Sequence, residues 1–110
     1  MGKFVITKRT NGEFQFNLKA RNGQTILSSE GYSSKSACTN GIESVQKNSK
    51  DDTKFEKLES KSGKWYFNLK ATNGQIIGSS EMYESVSGRD NGIESVKTNA
   101  HEAVTDDQTV

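Results

Sequence analysis

This chain of 110 residues is poor in the side chains that most often carry chemistry in proteins. It contains one cysteine, Cys38, and one histidine, His101. A single cysteine cannot form an intramolecular disulfide, and one Cys with one His cannot supply the clustered ligands of a structural zinc site. The sequence therefore predicts a protein of a reducing compartment, the cytoplasm, that holds no metal and no cofactor.

Long apolar runs and an excess of one charge are missing as well. The run Phe4-Val5-Ile6 is far shorter than the roughly 20 residues of a membrane span, so we expect no membrane association. Fifteen basic residues nearly balance 14 acidic ones, which gives no electrostatic reason for a nucleic-acid partner. Leu, Ile, Val and Phe number 21, about 19% of the chain, but their periodic placement favours a folded protein with a thin core.

What the chain does contain is an internal repeat with a constant offset of 51 residues, the separation of Phe16 from Phe67. The segments FNLKA, NGQ and NGIESV at 16–20, 22–24 and 40–45 recur at 67–71, 73–75 and 91–96. A fixed period of this length indicates one supersecondary unit built twice. We predict a single domain, 1–110, made of repeats 3–51 and 53–100, with residues 101–110 forming a frayed acidic tail.

The pattern of each repeat predicts three antiparallel strands followed by a helix. In the first copy, Asn-Gly steps at 11–12 and 22–23 are typical of tight hairpins, and apolar residues alternate from Phe14 to Ala20. Ser33 and Ser34 are candidate N-caps of the helix, whose apolar stripe includes Cys38. An interior Gly41 costs about 1 kcal/mol relative to alanine, so either the helices begin near Asn40 and Asn91 or these glycines allow close packing. We favour close packing, because the stripe starts upstream.

The second copy departs from the first in two places. Val86, Ile93, Val96 and Ala100 are predicted to form its helical stripe, with Arg89 interrupting it. The segment from Phe55 to Glu59 does not alternate cleanly, which predicts a bulge or an edge strand.

Burial sets the architecture. One copy offers too little apolar area to be stable alone, so the strands of both copies should join in one sheet. The predicted fold class is α+β: tandem β-β-β-α repeats forming a single antiparallel sheet, with two helices packed on one face and pseudo-two-fold symmetry. This arrangement predicts a monomer with an internal pseudo-dimer.

The string F-N-L-K-A-x-N-G-Q-x-I, followed by S-S-E-x-Y and N-G-I-E-S-V, resembles the YegP-like family of small bacterial proteins of unknown function. The resemblance occurs twice in register and covers residues 3–100. It implies units of three strands and a helix that combine into one sheet. It implies no reaction, ligand or catalytic residue.

Two sets of residues are candidates for a site, although no catalytic constellation stands out. The outward side of the sheet is a possible binding face, comprising Gln15, Asn17, Lys19, Tyr66, Asn68 and Lys70, although an antiparallel sheet covered on one side must be polar on the other. The corner between the third strand and the helix repeats as well and is assigned to architecture, with a ligand site as the alternative. Its residues are Ser28, Ser29, Glu30, Tyr32 and Asn40, with Ser79, Ser80, Glu81, Tyr83 and Asn91 in the second copy.

The remaining reactive side chains have ordinary explanations. Cys38 lies on the predicted apolar stripe and is expected to be buried, and His101 is expected to be solvated at the end of the second helix. The function that follows is a non-catalytic binding or interaction module, with recognition through sheet edges or the polar face. The sequence does not identify its partner, for which a protein is the candidate. The alternatives are an enzyme using Tyr, Glu or Lys at the corner and a weak nucleic-acid binder through the polar sheet face.

Overall fold

The computed structural model describes residues 2–110. Its strands and helices, in chain order, are β1 (Lys3–Lys8), β2 (Phe14–Lys19), β3 (Thr25–Ser28), α1 (Lys35–Asn48), β4 (Phe55–Glu59), β5 (Trp65–Lys70), β6 (Ile76–Ser79), α2 (Val86–Ala100) and β7 (Val104–Asp107), with a short 3-10 turn at Asp52–Lys54 before β4. Each repeat thus contains the three strands and the helix that its pattern predicts.

The strands form one sheet in the order β4-β5-β6-β3-β2-β1-β7. Each repeat is an antiparallel meander, and the two meanders join where Ser28 of β3 lies opposite Ser79 of β6. Equivalent strands of the two repeats therefore meet at the centre of the sheet. The predicted α+β fold with both repeats in a single sheet is confirmed.

The C-terminal segment corrects the sequence-based prediction. Residues 101–110 are not a frayed tail, because β7 pairs with β1 in parallel and makes the sheet mixed instead of purely antiparallel. The backbone N–H groups of Val104 and Gln108 donate to the carbonyl oxygens of Gly2 and Ile6 at 3.3 and 3.0 Å. Without β7, the outer edge of β1 would leave its hydrogen-bonding groups to water.

The helices begin upstream of Asn40 and Asn91, as favoured above. Ser34 is the N-cap of α1, where its hydroxyl oxygen accepts from the Ala37 N–H at 3.1 Å. The interior glycine of α1 is explained by a close approach, since a Cβ on Gly41 would lie 2.8 Å from Cζ of Tyr32. The equivalent approach recurs in α2, between Gly92 and Tyr83.

Two details of the second repeat differ from expectation. Val86 is not part of the buried stripe but is 41% exposed, whereas Arg89 is buried within that stripe instead of interrupting it. Its guanidinium lies 5.4 Å from the ring centre of Trp65, a cation–π arrangement. β4 is a regular edge strand without a bulge, and the sheet irregularities lie instead at Leu18/Lys19 and Leu69/Lys70.

One hydrophobic core serves both repeats. Helix α1 packs on β2 of its own repeat and on β5 and β6 of the other, while α2 packs on β5 and on all three strands of the first repeat. At the centre, Leu27 occupies the space that a side chain at its repeat partner Gly78 would need, because a Cβ there would lie 2.7 Å from Cγ of Leu27. The two repeats are therefore complementary in shape and not merely similar.

No helix within residues 2–110 has the length and apolar character needed to cross a membrane.

Candidate binding surfaces

The polar sheet face is divided between two distant rows. Its first row lies on β2 and its second on β5, and β3 and β6 run between them. Three strand spacings separate the rows by about 14 Å. The possible binding face predicted from the sequence is therefore two separate surfaces: Gln15, Asn17 and Lys19 on one, and Tyr66, Asn68 and Lys70 on the other.

The β5 row is largely engaged within the protein. Asn68 is only 8% exposed; its amide oxygen accepts from the Ser79 hydroxyl at 2.7 Å, and its amide nitrogen donates to Glu56 at 3.3 Å. Lys70 forms an ion pair with the same carboxylate at 3.2 Å. Hydrogen bonds from Asn68 and Lys70 lower the pKa of Glu56 below its ordinary value. These contacts occupy the polar groups that a ligand would need.

On β2 the corresponding row has less internal bonding. Gln15 accepts a hydrogen bond from the Arg9 guanidinium. Lys19 forms no ion pair within residues 2–110. The position equivalent to Glu56 is Val5, which is 5% exposed. Its apolar side chain cannot form with Lys19 the ion pair that Glu56 forms with Lys70.

The corner serines make hydrogen bonds within their own repeat. The Ser29 hydroxyl accepts from the Phe16 N–H at 2.9 Å and donates to the Glu30 carbonyl at 2.8 Å. Ser80 makes the same two bonds, to Phe67 and Glu81. Both hydroxyls therefore replace a missing strand partner where β3 and β6 leave the sheet.

The corner tyrosines pack on the sheet of their own repeat. The Tyr32 ring stacks on Phe16 with centroids 6.2 Å apart, and the Tyr83 ring stacks on Phe67 at 6.5 Å. Burial raises the pKa of both phenols above the usual value of 10.0, and nearby Cys38 and Glu30 add to the effect at Tyr32. A phenol with a raised pKa stays protonated near neutral pH and serves as a neutral hydrogen-bonding group.

The corner asparagines and glutamates have no such internal role. Neither the Asn40 nor the Asn91 side chain makes a hydrogen bond within the described residues. Glu30 and Glu81 are exposed and likewise form no side-chain bond or ion pair in that part of the chain. These four residues are thus identical between copies without a structural contact that explains it.

A groove brings the first corner together with the other repeat. It lies between α1 and the turn joining β5 to β6, with a volume of about 680 Å³. Its lining includes Glu30, Tyr32 and Asn40 from the first repeat. From the second repeat it includes Asn73, Gln75, Ile76 and Ile77. We call it the α1 groove; the sequence did not reveal it, because its two walls belong to different repeats.

A second cleft lies between the free edge of β4 and α2, with a volume of about 390 Å³. Phe55 and Ile93 form its buried floor. Asp52, Lys57, Asp90, Asn91 and Glu94 line the rest. We call this the β4 cleft. Its one signal in the sequence was the irregular alternation of Phe55 to Glu59, which predicted a bulge or an edge strand; the structure has the edge strand.

The two reactive side chains lie apart from these surfaces. Cys38 is fully buried in the core, and burial, with a smaller contribution from the Asp107 charge, raises the pKa of its thiol. His101 is exposed at the end of α2, beside Lys97. Among residues 2–110, no three His, Cys, Asp or Glu side chains come together in a metal-binding arrangement.

The comparison with known proteins adds the family. A model of the domain of unknown function DUF1508 matches this chain twice, at residues 10–56 and 60–107. The chain belongs to the UPF0339, or YegP-like, family. The resemblance predicted from the repeated motifs is thereby confirmed. The first match begins after β1 and ends within β4, and the second begins after β4 and ends with β7.

Members of the family are similar along nearly their whole length. A UPF0339 protein encoded next to the ptx operon of Stutzerimonas stutzeri is 54% identical over 102 residues, which cover 93% of this chain and 92% of that protein. YegP of Escherichia coli K12 is 48% identical over 108 residues, 98% of each chain. Neither name states an activity.

Solved structures from the family have the same fold. The solution structure of Escherichia coli YegP, described as a protein of unknown function, matches with a TM-score of 0.93 at 48% identity, over 97% of this chain and 92% of that one. A UPF0339 protein of Shewanella oneidensis matches with a TM-score of 0.92 at 50% identity, over 96% and 90%. The family therefore establishes the fold and leaves the function unassigned.

Proposed function

We propose that this protein is a non-catalytic interaction module that binds an extended segment of a partner protein along the free edge of β4. The observation that carries the proposal is β7 itself. This strand lies along the edge of β1 in parallel, beside α1, and is held by backbone hydrogen bonds and an ion pair between Asp107 and Lys35 at 2.8 Å. The fold thus already contains one bound edge segment, supplied by its own chain.

The β4 cleft is the equivalent position in the second repeat. The offset of 51 residues relates β1 to β4 and the start of α1 to that of α2. No strand within residues 2–110 pairs with the outer edge of β4. An extended segment seated there would gain backbone hydrogen bonds and would cover Phe55 and Ile93, as β7 covers the edge of the first repeat.

Charge distinguishes this cleft from the one that β7 fills. Lys57 replaces Ile6 and forms an ion pair with Asp90 at 3.6 Å across the cleft, with both side chains about half exposed. An inward-pointing lysine on an edge strand discourages indiscriminate pairing. Because an exposed ion pair contributes only about 0–1 kcal/mol, a partner with its own basic side chain for Asp90 can displace it. The acidic β7 segment of a second molecule lacks such a group.

The experiment compares two nonapeptides in amide chemical-shift titrations by NMR. One has the sequence of residues 102–110, and the other has lysine in place of both aspartates. We expect the basic peptide to shift amides of β4 and of residues 90–94, and the acidic peptide to leave them unchanged. Asp90→Asn should weaken the basic peptide about fivefold, the effect of losing an ion pair worth ~1 kcal/mol.

A charge reversal on the sheet face provides the matched comparison. The Lys19→Glu variant should bind the basic peptide no more weakly than the parent protein does, because Lys19 does not line the cleft and, unlike Lys70, forms no ion pair with Glu56 of β4. Weakened binding in that variant alone would move recognition to the polar sheet face. An absence of shifts at β4 with either peptide would overturn the proposal.

The non-catalytic part of the proposal is argued from the side chains of the corner. Its tyrosines have raised pKa values, so near neutral pH they are poor bases and poor nucleophiles. The buried free thiol of Cys38 fits a reducing compartment, and we place the protein in the cytoplasm on that ground.

A further inference from the structure

We infer that the α1 groove is a binding site for an alkylammonium group, a protonated amine on a short hydrocarbon stem. This inference is independent of the proposed function, because the groove lies between α1 and the β5–β6 turn and shares no lining residue with the β4 cleft.

The residues that are identical in both copies fall into two groups, those with a hydrogen bond inside the fold and those without one. Ser29, Asn22 and Asn48 are identical in both copies, and each has a hydrogen bond that explains its identity: Ser29 to the strand, Asn22 to its own turn and Asn48 to the preceding helical turn. Glu30 and Asn40 are also identical in both copies, yet their side chains make no hydrogen bond within residues 2–110. Both line the α1 groove.

The walls of the groove define the chemistry of its ligand. Glu30 is the one charged side chain among the residues that line it, so the groove carries an uncompensated negative charge. Asn40, Asn73 and the Tyr32 phenol add neutral hydrogen-bonding groups. A carboxylate or phosphate would find no cation here, whereas an ammonium group would find one carboxylate and several acceptor oxygens.

The apolar part of the groove accounts for the hydrocarbon stem. Ile76 is 40% exposed and Ile77 lies beside it, and together with Ala37 they line the same groove. At the corner of the second repeat, the position equivalent to Ala37 is Gly88, and the position equivalent to Ile76 is Thr25 of the first repeat. Both residues offer less apolar surface. Because the hydrocarbon stem needs this apolar wall, we assign the stronger site to the first corner, although its repeat partner has the same carboxylate and amide.

Two sources present this chemistry: a free aliphatic amine and the lysine side chain of a protein. The probes are 1,4-diaminobutane for the first and Nα-acetyl-lysine methylamide for the second, with butyrate as the anionic control. Each is titrated into the full-length 15N-labelled protein. We expect both amines to shift the amides of residues 30, 32, 40 and 73–77, and butyrate to shift none of them. A stronger affinity for one of the two amines identifies the source.

Matched variants test the carboxylate. Glu30→Gln should lower the affinity for both amines about fivefold, the effect of losing an exposed ion pair worth ~1 kcal/mol, whereas Glu59→Gln, the same change at an exposed position on β4, should leave it unchanged. The Glu30 side chain makes no hydrogen bond or ion pair within residues 2–110, so the variant should keep the parent spectrum away from the groove. Equal binding to the parent and to Glu30→Gln would overturn the inference, and so would an absence of shifts with both amines.

Discussion

For single side chains, identity between the two copies has two different origins. The glycine inside each helix is identical because a tyrosine ring occupies the space of its Cβ. Glu30 has no contact of that kind, and its identity suggests binding. Contact geometry distinguishes the two cases, and the sequence alone does not.

The first prediction concerns Gly41. Alanine has the higher helix propensity, by about 1 kcal/mol, but its Cβ would collide with the Tyr32 ring, which is held by stacking on Phe16. We expect Gly41→Ala to lower the free energy of unfolding by about 1–3 kcal/mol through overpacking. Urea denaturation monitored by circular dichroism measures the change.

Gly88 provides the control within the same fold. A Cβ there would have Ser85 Oγ at 3.2 Å and Tyr83 Cβ at 3.6 Å as its nearest neighbours. Gly88→Ala should therefore leave stability unchanged or raise it by up to ~1 kcal/mol. Equal losses in the two variants would show that the tyrosine contact is not the cause.

Among strands and helices, β7 is the element whose position depends most on charge. Hydrogen bonds from Lys35 and Thr109 lower the pKa of Asp107 from 3.8 to about 2. A carboxyl group with a lowered pKa in the folded state stabilises that state when ionised. Its contribution is present above about pH 4 and is lost as the pH falls towards 2.

The second prediction follows from that sign. On acidification from pH 5 to pH 2, the amide resonances of Val104–Asp107 should move towards those of an undocked strand, with a midpoint near the pKa of Asp107, about 2. Asp107→Asn should remove this transition and speed amide exchange in β7 at every pH. Asp106→Asn is the matched control, since its ion pair with Lys3 is 3.9 Å long and about half exposed, and it should change neither. An unaltered transition in Asp107→Asn would exclude the Lys35 contact as its origin.

For the molecule as a whole, the two repeats are complementary in shape. Leu27 and Gly78 are equivalent positions near the pseudo-two-fold axis, and there is room for one large side chain between them. Each helix also packs on strands of the other repeat. Because of these contacts, we expect the two repeats to fold together and not separately.

The third prediction exchanges the two side chains at the axis. Leu27→Gly should cost about 2–5 kcal/mol by leaving a cavity, and Gly78→Leu about 1–3 kcal/mol by overpacking. The double variant restores one large and one small residue, so its loss should be smaller than the sum of the single losses. Urea denaturation of the four proteins gives the coupling energy, and strict additivity would contradict complementarity.

The fourth prediction divides the chain. Fragments 1–52 and 53–110 should each be unfolded alone, because α1 loses β5 and β6 while α2 loses β1, β2 and β3. Mixed in equal amounts, they should assemble and recover the helical signal in circular dichroism. Cooperative unfolding of fragment 53–110 as an isolated monomer would show that the second repeat is stable by itself.

The elements were largely predictable from local pattern, and their relations were not. Alternation from Phe14 to Ala20 predicted β2, and the 51-residue offset predicted β5, because local spacing decides which side of an element is apolar. The same reasoning did not predict β7. Its four residues include two adjacent aspartates, which is typical of a solvated tail, and they form a strand because they pair with the outer edge of β1. That reasoning also misjudged Arg89 of α2, whose guanidinium packs against Trp65 of β5.

The sequence by itself determined that one strand-and-helix unit occurs twice, because period is a property of the chain. Its composition also predicts that neither copy has enough apolar surface to be stable alone. Tertiary structure alone decided the strand order, the parallel docking of β7, the separation of the two polar rows and the groove in which Glu30 faces the other repeat. Those features depend on contacts between segments that lie far apart in the sequence. The local spacing of apolar residues carries no information about such contacts.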